Sequence, residues 1–225
     1  MQKLEFDVIT DGGNKKISME VKNLYIAGFA GRNIAKTKEH IEELAKLGVP
    51  RPNSIPEYYV NGTNLLIQDN EIQVVGSGSS GEVEFIVLRH EGEIYVGIGS
   101  DHTDRDLESV DIPKAKQICP KPVGKILWKY SDVKEHWDEL VMESWQIIDG
   151  EKVQYQMGTA ADLLPLEELI KGAGEHLGSD LSGAVMFSGT VATVNGIKPG
   201  SKFFGRITDK KLNRILDFEY VIAVI

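Results

Sequence analysis

The stretch GEVEFIVLRHEGEIYVGIGSDHTDRDLE, Gly81 to Glu108, decides how the rest of the chain is read. Its centre, RHEGEIYVGIGS, reads as a tight strand-turn-strand, with strands over Val83 to Arg89 and Glu93 to Ile98. Alternate residues of a strand share a face, so Glu82 and Glu84 point one way while Val83 and Phe85 point the other. Two neighbouring carboxylates repel each other and lose hydration if buried, and a counter-cation relieves both costs. An oxygen-only site suits Mg²⁺, Mn²⁺ or Ca²⁺ better than zinc, which prefers nitrogen and sulfur. The competing reading leaves both acids facing solvent from an antiparallel sheet. After the second strand, Asp101, Asp104, Asp106 and Glu108 crowd one turn with Arg105. They approach one another only with Arg105, a metal or water between them. A surface helix start with Asp101 as its cap is the alternative.

Outward from this centre the chain stays strand-rich. Downstream strands are expected over Val123 to Lys129, Leu140 to Ile148 and Lys152 to Met157, the last two joined by an Asp149-Gly150 hairpin turn. Further strands follow over Gly183 to Ser188, Ser201 to Thr208 and Ile215 to Ala223. Upstream, strands over Leu4 to Thr10 and Ser18 to Ala27 flank an Asp11-Gly12-Gly13 turn. Short strands are expected around Tyr58, Ile67 and Ile72. Ile34, Ile41, Leu44, Ala45 and Leu47 roughly follow the helical period and predict a helix over Ala35 to Leu47, stopped by Gly48. Other helical structure is limited to a short turn after Asp132 and a helix over Leu163 to Gly172, with Asp162 as cap and Pro165 in its first turn. One β-rich α+β domain over residues 1–225 is expected. Its portion 1–75 carries a helix and 76–225 forms the β-rich core, where the catalytic centre is expected.

Composition narrows the function. The 225 residues, 41% of them hydrophobic, suffice for a substantial core. With 25 basic against 34 acidic side chains the formal charge is −9, which disfavours nucleic acid as a partner. No apolar run approaches the roughly 18–20 residues of a spanning helix, so no membrane partner is expected. MQKLEFDVIT lacks a basic region followed by an apolar stretch, and a cytoplasmic protein is the expectation. The single Cys119 excludes an internal disulfide and a Cys-rich zinc site.

Two more features bear on chemistry. In GAVMFSGTVATVNGIKPGSKFFGRI, Gly183 to Ile207, a buried-looking strand runs into Ser188-Gly189-Thr190, and a Lys198-Pro199-Gly200 turn leads to the next strand. The backbone N–H groups and hydroxyl of a Gly-Thr bend can receive a carboxylate. His40 and Glu43 stand three apart, hence on one helix face, as either a base dyad for water or a surface pair.

Taken in order, GEVEF, DHTDRDLE, FSGT and the KPG turn resemble the fumarylacetoacetate hydrolase superfamily. Its pattern has an E-x-E strand, a D-x-x-x-R-D turn, a lysine further on, and F-[ST]-G-T-P before a P-G-D turn. GFAGRN and IPEYYVNGTNLL extend the resemblance back to about Tyr25. It implies mixed β-sheets rolled as in the fumarylacetoacetate hydrolase C-terminal-domain fold, around a shallow open site, in a homodimer. It also implies Mg²⁺ or Mn²⁺ polarising a small keto acid or diketone, for C–C bond hydrolysis, decarboxylation, isomerisation or hydration. By the same resemblance Glu82, Glu84 and Asp101 hold the metal, and Gly189 and Thr190 meet a substrate carboxylate. Lys116 or Lys121 occupies the region of the catalytic lysine; the spacing does not decide between them, and Lys116 is favoured. Arg105 and Asp106 match a structural pair. Glu108 stands where the family often has glutamine and would add a negative charge to the pocket. Three departures set the chain apart: a short Glu84-to-Asp101 separation, no proline after FSGT, and a His40 about one turn late. The expected function is a metal-dependent hydrolase or lyase acting on a small oxo-acid. The alternative is a non-catalytic protein of the same fold that binds metal or a small acid.

Overall fold

Alternating apolar residues build the first hairpin. Leu4, Phe6 and Val8 of β1 (Gln2–Thr10) and Ile17, Met19 and Val21 of β2 (Gly13–Val21) are all buried, with Phe6 opposite Ile17. The computed structural model describes residues 2–10, 13–46 and 49–225. Asp11 and Gly12 of the expected turn, and Leu47 with the helix stop at Gly48, lie outside the described residues, as does the side chain of Leu44.

The strand expected over Ser18 to Ala27 is two strands. β2 ends at Val21, and β3 (Asn23–Gly28) pairs instead with β4 (Glu57–Asn61) and β15 (Ala184–Thr190). The break falls at Lys22, where the backbone N–H groups of Lys22 and Asn23 both turn to the Gly183 carbonyl, at 2.8 and 3.3 Å. The eight-stranded sheet runs β2-β1-β12-β9-β8-β15-β3-β4, with β8 (Val83–His90), β9 (Glu93–Ser100) and β12 (Ile126–Lys129) at its centre. A five-stranded sheet runs β14-β13-β16-β17-β6. It consists of β6 (Glu71–Val74), β13 (Val141–Ile148), β14 (Glu151–Thr159), β16 (Lys202–Asp209) and β17 (Arg214–Val224). Two small pairs complete the ladders: β5 (Leu66–Ile67) with β11 (Lys121–Pro122), and β7 (Ser79–Ser80) with β10 (Thr103–Asp104). The fold is β-rich α+β with mixed sheets, as expected.

Five α-helices occur among the described residues: α1 (Ile34–Lys46), α2 (Arg105–Glu108), α3 (Ile112–Gln117), α4 (Tyr130–Val133) and α5 (Leu166–Leu177). None is long and apolar enough to cross a membrane. The helix expected over Leu163 to Gly172 is α5, shifted toward the C-terminus. Asp162 closes a capping box with Thr159 on the preceding 3-10 turn, Pro165 takes the cap position, and Gly178 ends the helix at φ 63°.

β8 is buried on both faces. Val83, Phe85 and Val87 pack toward Met142, Phe203 and Tyr220 of the five-stranded sheet, while Ile86 and Leu88 pack toward Leu4, Phe6 and Val8. A central strand covered on both sides reads as a continuous apolar run, and FIVL is one. Glu84 shares the face of Ile86 and Leu88, and so sits where that apolar face meets the end of the strand.

Candidate metal centre

The β8–β9 hairpin sets the site by its register. Its turn places Glu91 at φ 51° and Gly92 at φ 85°, both in the left-handed region that two-residue hairpin turns require. From there the pairing runs back to Val83 opposite Ser100, which leaves Glu82 and Asp101 facing each other just past the strand ends. The Asp101 N–H donates to the Glu82 carbonyl at 3.1 Å, and the Glu82 N–H to Ser100 Oγ at 3.1 Å. One carboxylate oxygen each from Glu82, Glu84 and Asp101 then lies within 4.8 Å of the other two. It is the one such grouping among the described residues.

Asp101 is fully buried, yet its carboxyl is held near pKa 2. Burial pushes it up, but the ammonium groups of Lys116 and Lys121 outweigh that. Lys116 Nζ donates to Oδ2, and Lys121 Nζ stands 3.2 Å from Oδ1. Glu84 has the opposite balance. Burial, then the charges of Asp101 and Glu82, drive its carboxyl well above the usual range, against Lys116 and one N–H from Gly189 at 2.8 Å. Glu82 is raised by burial as well, despite Arg105 at 3.1 Å. Glu82 and Glu84, whose burial resists ionisation, gain most from a cation that stabilises their charged form beside the already ionised Asp101. That donor set fits a hard divalent cation.

The two candidate lysines divide their work. Lys121 is enclosed: besides Asp101 its ammonium meets the carbonyls of His102, Lys116 and Cys119, and burial pulls its pKa down. Lys116, at the end of α3, is also buried, but Asp101, Glu82 and Glu108 more than offset that burial and hold it charged. Arg105 bridges the opposite side, with Glu82 at 3.1 Å, Glu108 at 2.8 Å and Ser80 Oγ at 2.7 Å. His102 follows Asp101 but turns into the interior between Tyr220 Oη at 3.0 Å and Ser79 Oγ at 2.9 Å. Burial, with Lys121 and Arg105, lowers its pKa to about 3 and keeps it neutral.

Three expectations change. Gly189 and Thr190 do reach the cluster, but their donors are already taken. The Gly189 N–H serves Glu84, and Thr190 Oγ1 donates to the Val83 carbonyl at 2.7 Å while accepting from Gln156 Nε2 at 2.8 Å. They hold Glu84 and its strand, and these two donors are engaged within the chain. A side chain at Gly189 would meet Ala30 Cβ at 2.9 Å, and φ 84° there already requires glycine. Glu108 belongs to the cluster, but paired with Arg105. His40 and Glu43 are 62% and 72% exposed and 3.8 Å apart on the solvent face of α1. No hydrogen bond or ion pair among the described residues joins them to the carboxylates.

Gln156 was not singled out from sequence. Its buried amide makes four bonds: Oε1 accepts from the Val83 N–H and Ser144 Oγ, both at 2.9 Å, and Nε2 donates to Thr190 Oγ1 and the Val191 carbonyl, both at 2.8 Å. A register shift at Ser144/Trp145 turns both Tyr155 and Gln156 inward, which strict alternation in VQYQM does not foresee. The signal available was a polar residue between apolar neighbours in a strand.

The comparisons with known proteins agree with this architecture. No curated protein matches the sequence. A solved structure of a candidate fumarylacetoacetate isomerase/hydrolase from Oleispira antarctica is similar at TM-score 0.69 and 19% identity, over 97% of this chain and 99% of that one. A candidate fumarylpyruvate hydrolase from Burkholderia cenocepacia follows at 0.65 and 18%, over 100% and 96%. A 2-keto-3-deoxy-D-arabinonate dehydratase complexed with magnesium and 2,5-dioxopentanoate is similar at 0.64 and 17%, over 92% and 74%. These likenesses establish a fumarylacetoacetate hydrolase fold. The family model described as "Protein of unknown function (DUF2848)" matches residues 27–220, and the chain belongs to that family.

Proposed function

We propose that the chain is a divalent-metal-dependent hydrolase or lyase acting on a small oxo-acid, with Mg²⁺ or Mn²⁺ held by Glu82, Glu84 and Asp101. The observation that carries this reading is the convergence of those three carboxylates within 4.8 Å, with the Lys116 ammonium on Asp101. A dehydratase of the same fold complexed with magnesium and a dioxo-acid supports it. A hard cation bound there supplies Lewis-acid polarisation of a carbonyl oxygen. The chain's own groups do the rest. Lys116 stabilises negative charge developing beside the carboxylates, and its fixed position on Asp101 requires little reorganisation. Lys121 and Arg105 hold Asp101 and Glu82 in place, and Gly189 and Thr190 fix Glu84 and the strand that carries it. The buried walls keep water from Asp101 and Glu84, which strengthens each of these interactions.

His40 and Glu43 enter this reading only as a surface pair. That no hydrogen bond or ion pair among the described residues joins this exposed pair to the cluster favours a second reading, a metal- and acid-binding module without turnover. A turnover screen of small oxo-acids with Mg²⁺ or Mn²⁺ and an EDTA control separates the two. EDTA-sensitive turnover supports the enzyme, whereas metal-dependent binding without turnover supports the module. The same reading treats residues 1–225 as one unit, cytoplasmic and homodimeric. Sedimentation at micromolar concentration should then give about twice 24.9 kDa, and a monomer across that range removes the dimer.

A further inference from the structure

The charges around the site are linked by direct contact and can be balanced. Arg105 joins Glu82 to Glu108, and Lys116 and Lys121 both meet Asp101, while Glu84 stands among the three converging carboxylates. With all four carboxylates ionised, the form that binds a cation, Glu82, Glu84, Asp101 and Glu108 against Arg105, Lys116 and Lys121 leave one net negative charge. A divalent ion turns that into one net positive charge. In a site this buried, a ligand that cancels the charge is preferred over one that overshoots it.

Access is also uneven. The side chains of Asp101 and Lys121 are fully buried, whereas those of Glu82 and Glu108 are 19% and 27% exposed. The cluster is therefore open on the Glu82–Glu108 side. The cations near that opening have little to offer a second carboxylate. Arg105 spends its guanidinium on Glu82, Glu108, Ser80 Oγ and the Ser80 carbonyl. Lys121 is enclosed by Asp101 and three carbonyls. Lys116 donates one N–H to Asp101 and keeps two, both on one buried ammonium nitrogen that can sit beside one end of a ligand.

We infer that the site selects a singly charged oxo-acid, with an uncharged tail, over a dicarboxylate, and that Glu108 sets this selection. The inference rests on the metal-dependent oxo-acid reading above and narrows it. Glu108 acts twice: it sets the total to one positive charge when the metal is bound, and it repels a second carboxylate on the open side. A neutral glutamine keeps an oxygen acceptor for Arg105 while raising the total by one. The site then balances a dianion.

The test is calorimetric, with Mg²⁺ present and no catalysis required. 2-Oxovalerate and 2-oxoglutarate share a five-carbon chain and a 2-oxo-carboxylate end and differ by one charge. The protein should bind 2-oxovalerate about tenfold more tightly or better. Glu108→Gln should erase or invert that ratio, with Mn²⁺ affinity and melting temperature measured alongside to show that the site and fold persist. A protein that binds both acids equally, or prefers 2-oxoglutarate, overturns the inference without any variant. An unchanged ratio in a folded, Mn²⁺-binding Glu108→Gln protein overturns the role of Glu108. If neither acid binds in the presence of Mg²⁺, the oxo-acid reading itself falls and this inference with it.

Discussion

Glu84 carries opposed demands: its position at the mouth of an apolar face excludes water, and two carboxylates stand beside it. Its carboxyl, raised well above 4.5, holds a proton more tightly in the folded chain than in the unfolded one. The metal-free protein therefore loses this contribution to stability as pH rises from about 4.5 through the raised value. A metal competes with that proton, so Mn²⁺ affinity should climb over the same interval and level off once Glu84 is ionised. Titrations of Mn²⁺ at several pH values measure this directly, and Glu84→Gln should weaken binding by more than about tenfold and flatten the pH dependence. An affinity independent of pH across that interval would remove Glu84 from the site. The sequence disclosed Glu82 and Glu84 because alternation in a strand is a two-residue rule. It left Lys116 and Lys121 unresolved because both approach Asp101, one on each oxygen, and a geometry of that kind has no signature in spacing.

At the scale of elements, β14 clamps the site from the second sheet through Gln156. Replacing Gln156 by leucine leaves the buried Val83 N–H and Val191 carbonyl without their partners, at a cost of about 1–3 kcal/mol for each group. Gln156→Leu should thus lower the melting temperature by several degrees and weaken Mn²⁺ binding, because Val83 lies between two proposed ligands. Gln156→Glu keeps an acceptor for Val83 and should recover part of the metal affinity; equal loss in both variants would make the role packing alone. A second element-scale device closes the β16–β17 turn. Asp209 accepts from the N–H groups of Lys211 and Leu212, at 3.1 and 3.0 Å, and from Arg214 Nε at 3.1 Å, with His136 Nε2 at 3.0 Å. Burial pushes its carboxyl up, but these bonds win and hold it below 3.8. Its stabilisation is full above that value and is lost as pH falls through the depressed one. Urea midpoints of Asp209→Asn should lie below those of the parent at neutral pH, and the gap should close only as pH falls below 3.8 through the depressed value; a constant gap would show that the charge is irrelevant. Strands were legible wherever a face alternates or a core run is bounded by turns, as in β8, β13 and β16. The split between β2 and β3 was not, because the sheet positions on either side of Lys22 depend on pairing with residues far along the chain. The short α2 and α3 escaped for another reason. Their amphipathic pattern is too brief to show a period, and they are built on the caps Asp104 and Asp111.

For the molecule as a whole, the site lies where its layers meet. Glu82 and Asp101 extend from the β8–β9 hairpin at the centre of the eight-stranded sheet. Gly189 approaches from β15, and Gln156 ties β8 to the five-stranded sheet. A ligand that needs all these parts in register binds the folded chain and not the unfolded one, so its binding energy adds to global stability. At a metal concentration one hundred times the dissociation constant the gain is about 2.7 kcal/mol. For a chain of 225 residues each kcal/mol shifts the melting temperature by about 2–4 °C, which gives an expected rise of roughly 5–11 °C with saturating Mg²⁺ or Mn²⁺. EDTA should reverse it. Calcium, with its preference for more ligands and longer bonds, should give a smaller rise at equal concentration. Glu84→Ala is the control that assigns the effect to this cluster: exposed acids elsewhere on a chain of net charge −9 also attract divalent ions, but weakly and without cooperativity with folding. A metal-dependent rise of equal size in Glu84→Ala and in the parent would place the binding on that diffuse surface charge and remove the metal centre.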